Sequence, residues 1–429
     1  DRTGKTTQQS IQRRKHANCI RFTISKQRIA ERRIFGKTIK LATFYYPSGT
    51  LKVKINNSGS ATELPVKGVK MHFLTWFYWG STYTDANGYY EAKESYILDP
   101  IHTIYFTGRN GMNTWNFDRV TLGAVCLWVQ KFCLGVQSKD NYDATLNSGD
   151  GGWDACITNN AFYDYMTICD NHGITRPPVN LKVALLERAG SSSTPLLQNH
   201  LNTYGAGLFT GLVAISIAFP GAAVVTVPAV LLEGVIANAA PDIILAGGNI
   251  EKYQTSNDWL LTEDKAVKQY TTNIWHELTH SSHFQRVKLE KGYMNASLYW
   301  SSLIGTEAGN ALTTTDPILE GAYGSKGDSN WEQVALCEGW AYYRSYIRMA
   351  NSLLYYWSPN NHLPTQDYPG YYALMFNELR SFGCSETNIE KSLTVKTFSE
   401  FKQNLKNIYA DNQTVCTKID QRITYFYNK

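Results

Sequence analysis

From Asn257 to Val287 the chain contains neither glycine nor proline, and this uninterrupted run is expected to form one long helix. Within it, NIWHELTHSSHF (Asn273–Phe284) sets His276 and His280 four residues apart, with Glu277 beside the first. Residues i and i+4 lie on one helical face, one turn apart. The two imidazoles can therefore offer their nitrogens to a single metal ion. Glu277 points slightly off that face and can reach a water held by the same ion. This His-Glu-x-x-His arrangement binds Zn2+ through the histidines and uses the glutamate as general base.

Two histidines do not complete a catalytic zinc site, which takes three protein ligands and leaves a position for water. A third histidine ten residues after the first would be needed for one common pattern, but that position is Arg286. His283 lies one turn beyond His280, and a straight helix does not easily aim residues i, i+4 and i+7 at one ion. A carboxylate from a second helix is the better source. Glu338, in WEQVALCEGWAYYRSY (Trp331–Tyr346), is the leading candidate, with Glu290, Glu307, Glu320 and Glu332 as rivals. Tyr342 and Tyr343 follow on the same run and are candidate donors to the oxyanion of a tetrahedral intermediate. The intervening stretch Ser302–Asn330, rich in Gly and Thr, reads as a long loop that shapes a substrate cleft.

The N-terminal part has a different period. LKVKINN (Leu51–Asn57) alternates apolar and polar residues, Val66–Gly80 is aromatic-rich, and Ile101–Gly108 supplies another strand. Asp85-Ala86-Asn87-Gly88 is a turn signal between two strand-like flanks. Short strands at this spacing imply a small β-sandwich. The stretch Thr84–Tyr90, with LPVKGVKM before it, resembles the transthyretin-like, carboxypeptidase regulatory-like domains, which are accessory modules without catalysis of their own. Beyond Asn113 the pattern is mixed. Trp153–Ile174 reads as a helix ending near Gly173, and Leu181–Glu187 and Pro241–Gly248 read as strands. The remainder is mainly helical, with runs at about Trp331–Tyr355, Tyr371–Phe382 and Thr397–Tyr409.

A His-Glu-x-x-His helix followed by Glu338-Gly339-Trp340-Ala341 on a later helix resembles the gluzincins, zinc peptidases that take their third ligand from such a glutamate. The resemblance implies His276, His280 and Glu338 as ligands and Glu277 as base. Two positions depart from the family. The 57 residues between His280 and Glu338 exceed the spacing of thermolysin-like enzymes. Tyr342 stands where some gluzincins carry an Asp that orients the first histidine. The expected fold class is α+β multidomain: residues 1–40 a basic arm, 41–112 a transthyretin-like β-sandwich, and 113–429 a zincin-like, mainly helical metallopeptidase domain with a small sheet.

Charge and composition bound the partners. The net charge of +5 arises from the first forty residues, which hold twelve Lys and Arg against Asp1 and Glu31, so the rest of the chain is net acidic. With no nucleic-acid motif beside it, the arm reads as a solvated leader rather than a nucleic-acid site. The uncharged run Gly207–Leu232 is long enough to span a bilayer, but Pro220 and Pro228 break it, and it reads as buried core rather than an integral membrane segment. The eight cysteines include no CxxC, which leaves thiolate metal sites and thioredoxin-type chemistry without support. The high aromatic content of 13% suits an exported protein or one that handles polymers, and the expected location is exported: periplasmic, cell-surface or secreted, with a signal peptide not present in this chain. The expected function is hydrolysis of a peptide or protein substrate, with surface attachment through the sandwich. The alternatives are a catalytically silent binding protein of the same fold and a zinc hydrolase acting on a non-peptide bond.

Overall fold

A computed structural model describes residues 28–34, 37–57, 59–76, 78–110, 113–120, 130–137, 141–186, 192, 194, 196, 242–246, 250, 262–313, 323–349 and 370–428. The fold is α+β, a sandwich-like sheet region followed by a mainly helical region. Arg28–Ile34 (β1) and Lys37–Phe44 (β2) pair as an antiparallel hairpin, so the end of the basic arm carries strand structure.

The first sheet of the sandwich centres on β3 (Ser48–Asn57), which pairs with β4 (Ser60–Pro65), β7 (Tyr89–Glu91) and β11 (Ala144–Leu146). Its alternation is the one expected of a half-buried strand: Leu51, Val53 and Ile55 point inward. The second sheet has seven strands. Its path runs β13 (Ile243–Ala246), β12 (Leu181–Leu186), β9 (Asn113–Val120), β8 (Ile101–Asn110), β5 (Val69–Leu74), β6 (Trp79–Tyr83), and β10 (Lys131–Val136) also pairs with β8. Both β9–β12 and β12–β13 are parallel.

This sheet runs across the expected boundary at residue 112. That position lies in the chain between β8 and β9, which pair with each other, and the strands Leu181–Leu186 and Ile243–Ala246 lie in the same sheet as Val69–Leu74. Local patterning identified these strands but not their pairing, because parallel partners are joined by long crossovers. The turn Asp85–Gly88 is present: the Asp85 carboxylate accepts from the Asn87 and Tyr89 amides, and Gly88 adopts φ 76°. It does not close a hairpin, however, since β6 and β7 belong to different sheets. In the β8–β9 pair Gly108 faces Trp115, and a Cβ at Gly108 would stand only 1.9 Å from the buried indole.

Helix α1 (Trp153–His172) joins the sheets to the helical region and ends at Gly173 in the left-handed conformation. Asn159 receives the Trp115 indole N–H and donates to the Lys67 carbonyl, while Asn160 holds the Pro65 carbonyl and the Lys67 amide. On its other side Thr158 bonds to Tyr270, and Tyr165 to Ser282 and Thr279. These three partners lie on α2 (Glu263–Lys291), the helix expected from the glycine-free run. Glu263, in its first turn, accepts from the amide and side chain of Asn56 on β3.

Next comes α3 (Tyr293–Thr313), which corrects the expected loop at Ser302–Asn330: residues 302–313 continue a helix packed on α2. Its buried positions Ala296, Tyr299, Trp300 and Leu303 follow helical spacing, and Gly305 is tolerated because it faces open space. Helix α4 (Trp331–Tyr342) passes directly into a π-helical segment, Tyr343–Met349. The C-terminal helices are α5 (Gly370–Ser381), α6 (Glu386–Ser392), α7 (Phe398–Ile408) and α8 (Gln413–Asn428). No helix among the described residues is long and apolar enough to cross a membrane. Gly207–Leu232 lies outside the described residues, as does Glu320.

Candidate metal centre

Helices α2 and α4 pack against each other and bring three side chains together. His276 Nε2 lies 3.1 Å from Glu338 Oε2, His280 Nε2 lies 3.0 Å from Glu338 Oε1, and the two Nε2 atoms are 3.1 Å apart. All three residues are buried. An ion held tetrahedrally at about 2.1 Å needs donors roughly 3.4 Å apart, so these separations are close to the edges of one coordination sphere. Two imidazole nitrogens turned toward each other and toward a carboxylate are a group that could hold a metal ion. Among the described residues no other group of three His, Cys, Asp or Glu is so disposed.

Electrostatics follow from this convergence. Burial alone pushes the Glu338 carboxyl up, but His280 and His276 outweigh it and hold Glu338 far below the ordinary carboxylate range. Burial likewise opposes charge on His280, and the adjacent Glu338 overrides it, so the imidazole pKa is raised. The Nδ1 atoms of His276 and His280 are buried with no hydrogen-bond partner among the described residues.

Glu277 is buried beside the group. Burial raises its pKa, against the pull of His276, His280 and a hydrogen bond from Thr194. That hydroxyl stands 2.7 Å from Oε2 of Glu277. The Tyr342 ring packs on His276 with centroids 4.6 Å apart, and its hydroxyl lies 3.3 Å from that of Tyr323. Tyr343 is not brought to the site. Its ring packs on Trp340 and Phe376, and its hydroxyl donates to Glu386, 3.1 Å away. One residue of helical rotation, about 100°, separates the two tyrosines.

The rival carboxylates have other partners. Glu332 caps the start of α7 by accepting from the Phe398 amide at 2.7 Å. Glu290 pairs with Arg286 and accepts from Thr394. His283 meets the Leu393 carbonyl at 3.0 Å, and burial lowers its pKa to about 4. Glu307, on α3, does reach the site from outside the ligand group. Burial, then the nearby Glu338 and Glu277 carboxylates, raise its pKa well above the ordinary value. Sequence reasoning missed the approach of Thr194, which lies in no periodic segment, and of Trp300, whose ring is 5.9 Å from His280. The apolar spacing of α3 was the signal for Trp300. No protein-family model, no curated protein and no solved structure matches the chain.

Proposed function

We propose that the chain is a zinc-dependent peptidase. The observation that carries this reading is the buried trio of His276, His280 and Glu338 with Glu277 held beside it. Two imidazoles and one carboxylate are the donor set of hydrolytic zinc sites and leave room for water. Bound there, Zn2+ supplies an acidified water and polarises the scissile carbonyl.

The chain's own residues do the rest. Glu277 accepts a proton from the water at its carboxylate and returns it to the leaving nitrogen. Burial, which raises the Glu277 pKa, makes its carboxylate a stronger base for the water's proton. The Tyr342 hydroxyl, at the end of a ring packed on His276, donates to the oxyanion. Burial of the group excludes bulk water and strengthens each of these contacts. The test is metal-loaded protein with a library of peptides. Wild type is expected to cleave, and Glu277→Gln is expected to keep metal and fold while losing several orders of magnitude in kcat. Full activity in Glu277→Gln overturns the mechanism.

A further inference from the structure

We infer that Thr194 is a positioning residue for the Glu277 carboxylate, an inference that rests on the peptidase reading above. Thr194 is buried, and its single hydroxyl proton faces two acceptors on Glu277: Oε2 at 2.7 Å and the main-chain carbonyl at 2.9 Å. The carbonyl also has the Ser281 hydroxyl at 3.3 Å. For Oε2, Thr194 is the hydrogen-bond donor among the described residues. A bond to an ionised acceptor is about twice as strong as a neutral one, so the proton is drawn to the carboxylate.

The backbone of Thr194 is itself fixed from two sides. Its carbonyl accepts from the Trp300 indole at 3.1 Å. Two residues on, the Leu196 amide donates to the Asp242 carbonyl at 2.9 Å, and the Asp242 amide donates to Lys182 on β12 at 2.8 Å. The threonine thus hangs between the end of the sheet and helix α3, and Trp300 braces both Thr194 and the ring of His280. With Oε2 tied to Thr194, the rotation of the carboxylate is set and Oε1 is the oxygen turned to proton transfer. Oε1 takes the water's proton and later delivers it to the leaving nitrogen. Thr194 keeps its own proton throughout.

The experiment compares Thr194→Val, which has the same shape without the hydroxyl, with Thr194→Ser, which keeps it. Losing a hydrogen bond to a charged group predicts a kcat about tenfold to a hundredfold lower in Thr194→Val, with KM and metal content unchanged. Thr194→Ser is expected to recover to within a few-fold of wild type. Wild-type kcat in Thr194→Val overturns the inference, as does loss of metal from both variants. If the valine protein does not fold, equal kcat in Thr194→Ser and Thr194→Ala overturns it instead. The visible absorption of Co2+-loaded protein separates this inference from the peptidase reading, because it senses the metal-bound water that Glu277 contacts. If wild type cleaves no peptide but Thr194→Val shifts the cobalt bands as Glu277→Gln does, the positioning role stands and the peptidase reading falls. Bands unmoved in Thr194→Val, when Glu277→Gln moves them, overturn the positioning role.

Discussion

Replacing Glu338 with alanine removes the carboxylate whose two oxygens lie 3.1 and 3.0 Å from His276 and His280, and leaves two imidazoles at the proposed metal site. Changes to groups that only orient a ligand cost about tenfold to a hundredfold in metal affinity, about 1.4 to 2.7 kcal/mol. Loss of the ligand itself is therefore expected to exceed a hundredfold. The same loss is visible as stability, because metal bound only to the folded state stabilises it by RT ln(1 + [L]/Kd). At a fixed free Zn2+ concentration well above the dissociation constants of both proteins, a hundredfold weaker site forfeits about 2.7 kcal/mol of that stabilisation. Glu338→Gln keeps the shape without the charge and is expected to fall between. Glu332→Ala, on the same helix, is the control, since its carboxylate serves the Phe398 amide instead. Competition titration against a chromophoric chelator, with melting followed with and without Zn2+, measures both quantities. Wild-type affinity in Glu338→Ala, or loss of metal from Glu332→Ala, would refute the ligand assignment.

Tyr342→Phe is expected to lower kcat by about 10²- to 10³-fold, the range for one oxyanion donor, while Tyr343→Phe leaves kcat within a few-fold; steady-state kinetics on the two variants checks this. Glu390 is buried and accepts from the amide and hydroxyl of Thr175, and burial raises its pKa to about 7. Because the folded pKa lies above the unfolded one, its contribution is intact below about 4.5 and is lost as pH rises to about 7, a change of about 3 kcal/mol. Glu390→Gln keeps an acceptor for Thr175 and should flatten that part of the stability profile; an unchanged slope in denaturation midpoints between pH 5 and 7 counts against it. Gly108→Ala drives a methyl group into Trp115 and is expected to cost at least the 1–3 kcal/mol typical of overpacking, read as a lower melting midpoint.

The meeting of His276, His280 and Glu338 was legible because its information is local. The histidine spacing and the absence of helix breakers specify one face of α2, and Glu338 stands in a second helical run. Tyr342 and Tyr343 were not separable from sequence, since the roll of α4 about its axis is set by packing: Trp340 and Phe376 take one tyrosine and His276 takes the other. Helix α3 was obscured by its glycines and threonines, although Ala296, Tyr299, Trp300 and Leu303 kept the period. Thr194 had no local signal at all, and its place follows from contacts with α2, α3 and Asp242 near the sheet end. The sheet connectivity was equally hidden, because hydrophobic alternation reports which face is buried and not which strand is the neighbour.

The shared sheet bears on how this chain can be divided. An accessory module that can be cut away, or exchanged between proteins, owns every strand of its own sheets. Here a fragment beginning at residue 113 would keep β9, β12 and β13 but lose β8, with the Gly108 surface that receives the Trp115 indole. It would also lose Asn56, the partner of Glu263 in the first turn of the histidine helix, and the Lys67 carbonyl that Asn159 holds. The fragment would expose an unpaired strand edge and a bare tryptophan, both invitations to self-association. The sandwich strands are thus part of the scaffold on which the histidine helix stands, and a protein engineer seeking the smallest folded form would have to keep them.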